Sequence, residues 1–217
     1  MLFSLHKTRG GVHPPQCKDT RDRRCTSIEP PKRVRIPLNM HIGSPCRPVV
    51  KPGDHVHVGT LIGDGEGLCA PIHASISGTV VSTDAGKLPT GQEAPVVEIE
   101  SDGRMELDPT LEPPTYSSKE EFIDCVRRSG VVGLGGAAFP TWFKMRAPEG
   151  KRFEFLIVNG MECEPYITSD FRQMVEHPGR IIRGMHRICG ALDIPRGVIG
   201  IEDNKPEAVE ALEAALK

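Results

Sequence analysis

The spacing of apolar and polar positions changes character near the middle of the chain. From about Ile28 to Glu100, short β-type runs are punctuated by Gly and Pro: Val34-Arg-Ile-Pro-Leu38, Val49-Val50, His55-Val-His-Val58, Ile76-Ser-Gly-Thr-Val-Val81 and Val96-Val-Glu-Ile99. Alternation of this kind with frequent turns predicts a small β-sandwich or barrel. After residue 117 the period becomes helical. The stretch Ser117–Gly130 opens with a Ser-x-x-Glu capping box, closes on basic residues and glycine, and places Phe122, Ile123 and Val126 on one face. Phe153-Glu-Phe-Leu-Ile-Val158 is nearly continuously apolar, which predicts a strand buried on both faces. A helix follows over Pro178–Gly190, with Ile181, Ile182, Met185, Ile188 and Cys189 at helical spacing and the glycine as its stop. A second strand follows at Gly197-Val-Ile-Gly-Ile201, then a helix from Pro206 to Lys217 with Val209, Leu212 and Leu216 inward.

Strand, helix, strand, helix implies a parallel α/β layer. Two strands are too few for a complete sheet, so this domain is expected to be truncated. The predicted fold is thus an α+β chain in two parts. It has an irregular amino-terminal arm over 1–27, a β-rich domain over 28–100, a Pro-rich linker over 101–116 and an incomplete Rossmann-like α/β domain over 117–217.

Composition narrows the function classes. The 217 residues are 38% hydrophobic and 26% charged, with a net charge of −2, which suits a globular protein long enough to bury a core. No Lys/Arg cluster alternates with aromatics, so no nucleic-acid partner is expected. No apolar run approaches the roughly 20 residues that span a bilayer, and Met1–Arg9 is too short and polar for a signal sequence, so a cytoplasmic location is expected. Seven cysteines at irregular spacings argue against a disulfide framework. His6, His13, Cys17 and Cys25 have metal-ligand chemistry but no C-x-x-C spacing, and free thiols are the better reading. Among His41, His55, His57 and His73, the i, i+2 pair His55 and His57 shares one side of a strand, but no carboxylate or cysteine lies at matching spacing. No metal site is therefore expected, and no catalytic side chain is assigned.

The stretch Gly130-Val-Val-Gly-Leu-Gly-Gly136 holds four glycines in seven residues. Glycine lets backbone N–H groups converge on an anion, and a helix starting after the loop would add its positive end. Taken alone, the pattern is neither G-x-G-x-x-G nor a P-loop. Candidate ligand groups also emerge at the carboxyl ends of the two strands, where open α/β sheets place their sites: Asn159, Glu162 and Glu164 after the first, Glu202-Asp-Asn-Lys205 after the second.

Two resemblances connect these features. Val50–Gly63 followed by Ala70–Val80 resembles the biotinyl/lipoyl-type barrel-sandwich hybrid. The hairpin where carriers place a modified lysine is Gly63-Asp-Gly-Glu-Gly-Leu-Cys69 here and contains none, which argues against swinging-arm chemistry. The second runs through Gly133–Lys144, Asn159-Gly-Met-Glu-Cys-Glu-Pro165 and Glu202–Lys205. These are similar to the flavin- and NADH-binding subunit of respiratory complex I, and Gly10-Gly-Val-His-Pro-Pro15 with the β-rich half points to the C-subunit of the Rnf ion-translocating electron transport complex.

That resemblance implies FMN held by Gly133, Gly135, Gly136 and Lys144, with Asn159 beside it. It implies Glu162 and Glu164 lining a flavin and nicotinamide cleft, completed by Glu202, Asp203 and Asn204. The implied chemistry is electron transfer from NADH through FMN to 4Fe-4S clusters. The implied setting is peripheral, on the cytoplasmic face of a membrane, among other subunits. Two departures stand out: Met161 replaces an acidic residue found in the complex I proteins, and the family's Cys-x-x-Cys cluster motifs are absent from the sequence. A non-catalytic docking module and a soluble hydrogenase or formate dehydrogenase diaphorase subunit are the alternatives.

Overall fold

A computed structural model describes residues 14–88 and 91–217. His6, His13 and most of the Gly10–Pro15 motif lie outside the described residues. The chain forms two compact units, one over Ser27–Arg152 and the other from Met1–Thr26 together with Phe153–Lys217. The boundary thus falls after the glycine stretch, not before it.

The Ser27–Arg152 unit is two antiparallel sheets over one core. Its strands are β1 (Arg33–Pro37), β2 (Arg47–Pro48), β3 (His55–Val56), β4 (Leu61–Asp64), β5 (Ile72–His73), β6 (Gly78–Ser82), β7 (Ala85–Lys87) and β8 (Glu93–Ser101). One sheet runs β1-β8-β6-β3 with β7 also on β8, and the other runs β2-β4-β5. The register Val34↔Ile99, Ile36↔Val97 between β1 and β8 sets every second side chain inward. Leu38, Val56, Ile62, Ile72, Ile76, Val80, Val97 and Ile99 fill the space between the sheets. Each is worth about 1.5–3 kcal/mol for leaving water. This is the barrel-sandwich arrangement expected from the half-motifs.

The hairpin that lacks a carrier lysine is also pinned, since Arg127 donates to Asp64 Oδ1 at 2.9 Å and to the Gly65 carbonyl at 3.0 Å. The Pro-rich stretch 101–116 is laced to the barrel rather than hanging as a free connector. Ser77 donates to Asp102 at 2.6 Å, Thr60 donates to Asp108 at 2.6 Å, and Val58 bridges Leu107. Its aspartates supply anchors that composition alone does not reveal.

Helix α1 (Lys119–Arg128) begins at the N-cap Ser118, whose side chain accepts from the Glu121 N–H at 3.1 Å. The Glu121 carboxylate reaches back to the Ser117 N–H at 2.6 Å, so the capping box is closed one residue wider than usual. A single-turn helix, α2 (Thr141–Lys144), follows the glycine stretch.

The second unit holds β9 (Leu156–Asn159), α3 (Ser169–Glu176), α4 (Pro178–Leu192), β10 (Gly197–Gly200) and α5 (Pro206–Leu216). β9 and β10 pair in parallel with Ile157 opposite Val198. Leu156, Val158, Ile199 and Ile201 pack onto a core of Phe171, Met174, Ile182, Met185, Ala208 and Leu212. The expectation of burial on both faces is corrected here: Ile157 is 71% exposed and Val198 45% exposed, because the core formed by α3, α4 and α5 takes only the alternate residues.

Helix α4 continues through Gly190 and stops at Asp193, whose φ of 52° is left-handed. In α5 the inward face is Ala208 and Leu212, while Val209 and Leu216 are exposed, a rotation from the expected stripe. The tight approach of the small Ala208 to the core sets that face. Helix α3 has no counterpart among the elements expected from the sequence, being only eight residues long. Residues 14–26 contain no helix or strand but are tied to this unit: Arg21 donates to Glu207 at 3.0 Å, and the Cys25 N–H donates to Glu176 at 3.0 Å.

Candidate functional site

The glycine stretch is a short excursion closed at its base. Val132 bridges Pro140, the Gly133 N–H donates to the Phe139 carbonyl at 3.0 Å, and the Thr141 N–H donates to the Val131 carbonyl at 3.0 Å. Two further bonds hold it on the barrel: the Ile42 N–H to the Ala137 carbonyl at 3.2 Å, and Trp142 Nε1 to the Cys69 carbonyl at 2.7 Å.

The glycines divide into two kinds. Gly130 is demanded by the fold, with φ at +69° and a would-be Cβ only 2.3 Å from the Pro71 carbonyl oxygen. At Gly135 and Gly136 a Cβ would meet nothing within 4 Å, and at Gly133 only the Lys144 ammonium at 3.6 Å and the Phe139 oxygen at 3.9 Å. Packing therefore gives no reason for glycine at the tip. The tip N–H groups of Leu134, Gly135 and Gly136 make no hydrogen bond with described residues. Bare, exposed donors beside a lysine fit an anionic group such as a phosphate, and a side chain at 135 or 136 would occupy the approach. The expected helix end contributes little, since α2 is one turn long, with Pro140 at its N-cap and no side-chain cap.

In the other unit, the loops after β9 and β10 meet around a buried carboxylate. Glu162 is 1% exposed. Its Oε1 accepts from the Asp170 N–H at 2.7 Å, in the first turn of α3, and its own N–H donates to Glu202 Oε2 at 3.3 Å. Lys205 is buried and pairs closely with Glu202, and its ammonium is 3.9 Å from Glu162 Oε2. Lys18 approaches the same oxygen to 3.8 Å while donating to the carbonyls of Glu162, Glu164 and Ile167 at 2.8, 2.8 and 2.6 Å. Hydrogen bonding from Lys205 holds the Glu202 carboxyl below its ordinary pKa, against the opposing effect of burial. Glu162 Oε2 has no hydrogen-bond partner and borders a cavity of about 190 Å³, also lined by Gln16, Lys18, Arg21, Phe171, Asn204 and Lys205.

Of the residues singled out from the sequence, Glu162 and Glu202 are thus joined directly. Asn204 reaches Gln16 over a long 3.4 Å contact, and Asn159 closes a turn by accepting from the Met161 N–H at 3.1 Å. Glu164 and Asp203 are exposed on the same loops. Gly133, Gly135, Gly136 and Lys144 belong to the barrel unit. Sequence reasoning missed Lys18 altogether, since a basic residue in an irregular arm carries no signal. Lys205 was visible only as the last residue of the Glu202–Lys205 segment, with no role assigned to it.

Two histidine expectations also resolve. His55 bonds Asp102 at 3.2 Å, and His57 lies 4.0 Å from Glu106, so both have carboxylate partners far away in sequence. The local spacing around His41 offers no cysteine partner, and the fold corrects this by bringing it to Cys46 and Cys69.

The chain thus combines a barrel-sandwich domain that carries a glycine loop with a parallel α/β element that carries acidic strand-end loops. Comparison with known proteins makes that specific. Residues 6–104 match the family model of the RnfC barrel sandwich hybrid domain, and residues 126–217 match that of the Nuo51 FMN-binding domain. Each half of the chain is thus similar to a different domain family, the first of the RnfC type and the second of the Nuo51 type. It is 38% identical over 215 residues to the C-subunit of the Na(+)-translocating ferredoxin:NAD(+) oxidoreductase complex of Acetobacterium woodii, covering 96% of this chain and 48% of the relative. It is 38% identical over 218 residues to the proton-translocating counterpart of Clostridium ljungdahlii, covering 98% and 48%. The C-subunit of the ion-translocating oxidoreductase complex of Haemophilus influenzae Rd is also 38% identical, over 221 residues, covering 96% and 26%. The chain spans about half the length, or less, of these curated relatives.

Proposed function

We propose that this chain is an electron-transfer subunit of a membrane-associated, ion-translocating NADH:ferredoxin-type oxidoreductase, and that it binds FMN and NAD(H). The observation that carries this is the glycine tip, whose backbone N–H groups are bare and whose glycines no internal contact requires. It lies within the segment that matches an FMN-binding family.

In this reading, Leu134, Gly135 and Gly136 donate backbone N–H groups to the FMN phosphate, Gly133 leaves room for the Lys144 ammonium, and Lys144 balances the phosphate charge. In the other unit, Asn159, Glu164, Asp203 and Asn204 are exposed polar groups available to the nicotinamide nucleotide. Glu162 acts chiefly by position: with Lys18, Lys205 and Glu202 it locks the two strand-end loops that carry those groups. Bound FMN supplies the exchange between a hydride donor and one-electron acceptors. The acceptor clusters are assigned outside these 217 residues, which lack the Cys-x-x-Cys pattern.

Partner subunits hold the chain at the membrane, consistent with the absence, among the described residues, of any helix long and apolar enough to cross one. Reconstitution with FMN under anaerobic conditions tests the reading: NADH should bleach the bound flavin. A folded chain that takes up no FMN at saturating concentration refutes it and leaves the docking role.

A further inference from the structure

Under the glycine stretch, three side chains from two barrel loops converge. Cys46 Sγ lies 3.2 Å from Cys69 Sγ and 3.5 Å from His41 Nε2, and Cys69 Sγ lies 3.8 Å from the same nitrogen. Both cysteines are buried, at 1% and 0% exposure, and neither is in a disulfide. We infer that His41, Cys46 and Cys69 form a binding site for a thiophilic d¹⁰ cation, Zn²⁺ being the one tested.

The donor set is two sulfurs and one imidazole, which selects Zn²⁺ over the oxygen-seeking Mg²⁺ and Ca²⁺. The distances are nearly those a tetrahedral ion needs. With Zn–S near 2.3 Å and Zn–N near 2.05 Å, ligand atoms stand about 3.8 Å apart for two sulfurs and about 3.6 Å for sulfur and nitrogen. The sulfur–nitrogen distances of 3.5 and 3.8 Å already comply, and only the two sulfurs need to part by about 0.6 Å.

The imidazole is oriented as a ligand. Its Nδ1 lies 3.2 Å from the Ile42 carbonyl, which favours a proton on Nδ1 and turns the Nε2 lone pair toward the cysteines. Nε2 here accepts a long 3.3 Å bond from the Ala70 N–H, and Cys46 Sγ donates to the Ala70 carbonyl at 3.3 Å. The ion replaces both of these weak contacts, and its binding displaces the two thiol protons to solvent. A cavity of about 150 Å³ beside the His41 imidazole, bordered also by Met40, Ala70, Pro71, His73 and Gly130, gives water a route to the histidine side of the group.

The site also has a structural consequence. Ile42 is hydrogen-bonded to Ala137, and the Cys69 carbonyl receives Trp142. A cation joining the His41 and Cys69 loops therefore staples the platform on which the glycine stretch rests.

The test uses the full chain, stripped of metal and kept reduced. Titration with Co²⁺ should give one equivalent bound per chain, with a sulfur-to-cobalt charge-transfer band and intense tetrahedral ligand-field bands that Zn²⁺ abolishes. Cys46→Ser should lose about half of the charge-transfer intensity, and His41→Ala, at a half-buried position that tolerates truncation, should keep the band but bind at least tenfold more weakly. Melting of the wild-type chain should rise with Zn²⁺ and fall back with chelator, a readout independent of whether the serine variant folds. Absence of a charge-transfer band overturns the inference. So does full retention of the band in Cys46→Ser/Cys69→Ser, which would place the metal on other thiols, or a Cys46–Cys69 disulfide that persists in reductant and takes up no metal.

Discussion

Replacing Gly130 with alanine separates the glycine that the fold needs from those that a ligand needs. The backbone at Gly130 has φ of +69°, and an added Cβ would lie 2.3 Å from the Pro71 carbonyl oxygen and 3.2 Å from His73 Nδ1. Holding an L-residue in the left-handed region costs about 1–2 kcal/mol. Relieving the overlap adds about 1–3 kcal/mol, because Pro71 is met by its backbone and cannot simply rotate away. The sum is about 2–5 kcal/mol, which for a unit of this size corresponds to a fall of about 8–20 °C in melting temperature. The single tryptophan, Trp142, lies buried in the same unit, so its fluorescence reports this transition and not that of the other unit. Gly135→Ala is the control: with nothing within 4 Å and no positive φ, it should melt within a few degrees of the wild type, shifted upward if at all. A Gly130→Ala chain that melts within about 2 °C of the wild type would refute the assignment of Gly130 to the fold.

Glu162→Ala should destabilise the second unit by about 1–3 kcal/mol, since it leaves the Asp170 N–H without its acceptor, while Lys205 keeps Glu202 and Lys18 keeps its three carbonyls; urea unfolding followed by circular dichroism reads this. The thiol of Cys46, pushed up to about 12 by burial and then by its contact with Cys69, should react with alkylating reagent at neutral pH far more slowly than exposed Cys25 or Cys163, as peptide mass mapping would show. The hydroxyls of Thr60 and Thr110 hold Asp108 down to about 2, below its unfolded value near 3.9, so the stability it contributes is complete above about pH 4 and is lost as pH falls through 2. Asp108→Asn should therefore flatten the acid limb of the stability profile between about pH 4 and 2 without abolishing it, because Asp102 is also held low by Ser77.

Much of the fold was legible because local chemistry and packing agree. The β runs at Val34–Leu38 and Val96–Ile99 alternate with period two, and they pair in the register that buries those same residues. Gly, Ser-x-x-Glu and Pro signals likewise located α1 and the starts of α4 and α5. What failed were questions of which face is covered. Ile157 and Val198 read as core residues from their apolar runs, but burial depends on what packs on the far side of the sheet, and no local pattern records that. In the same way, Gly190 has every mark of a helix stop, yet the left-handed residue is Asp193.

The candidate site was legible as a set of segments, not as a set of contacts. The glycine tip and the acids after each strand stand out because their residue types are unusual for their positions. Lys18 could not be found, since its role comes from three carbonyls about 145 residues away in the chain. The His41, Cys46 and Cys69 group was hidden for the same reason: spacings of 5 and 23 residues between its neighbours match no local metal motif, and only the turn of the barrel closes them.

The most direct test of the central claim is equilibrium titration of the full chain and its Gly135→Val variant with FMN, followed by flavin fluorescence. The account predicts saturable binding of one FMN per chain in the wild type, and loss of that binding in the variant at an unchanged melting temperature. Equal affinity in the two chains, or no binding by a folded wild-type chain at saturating FMN, would contradict it.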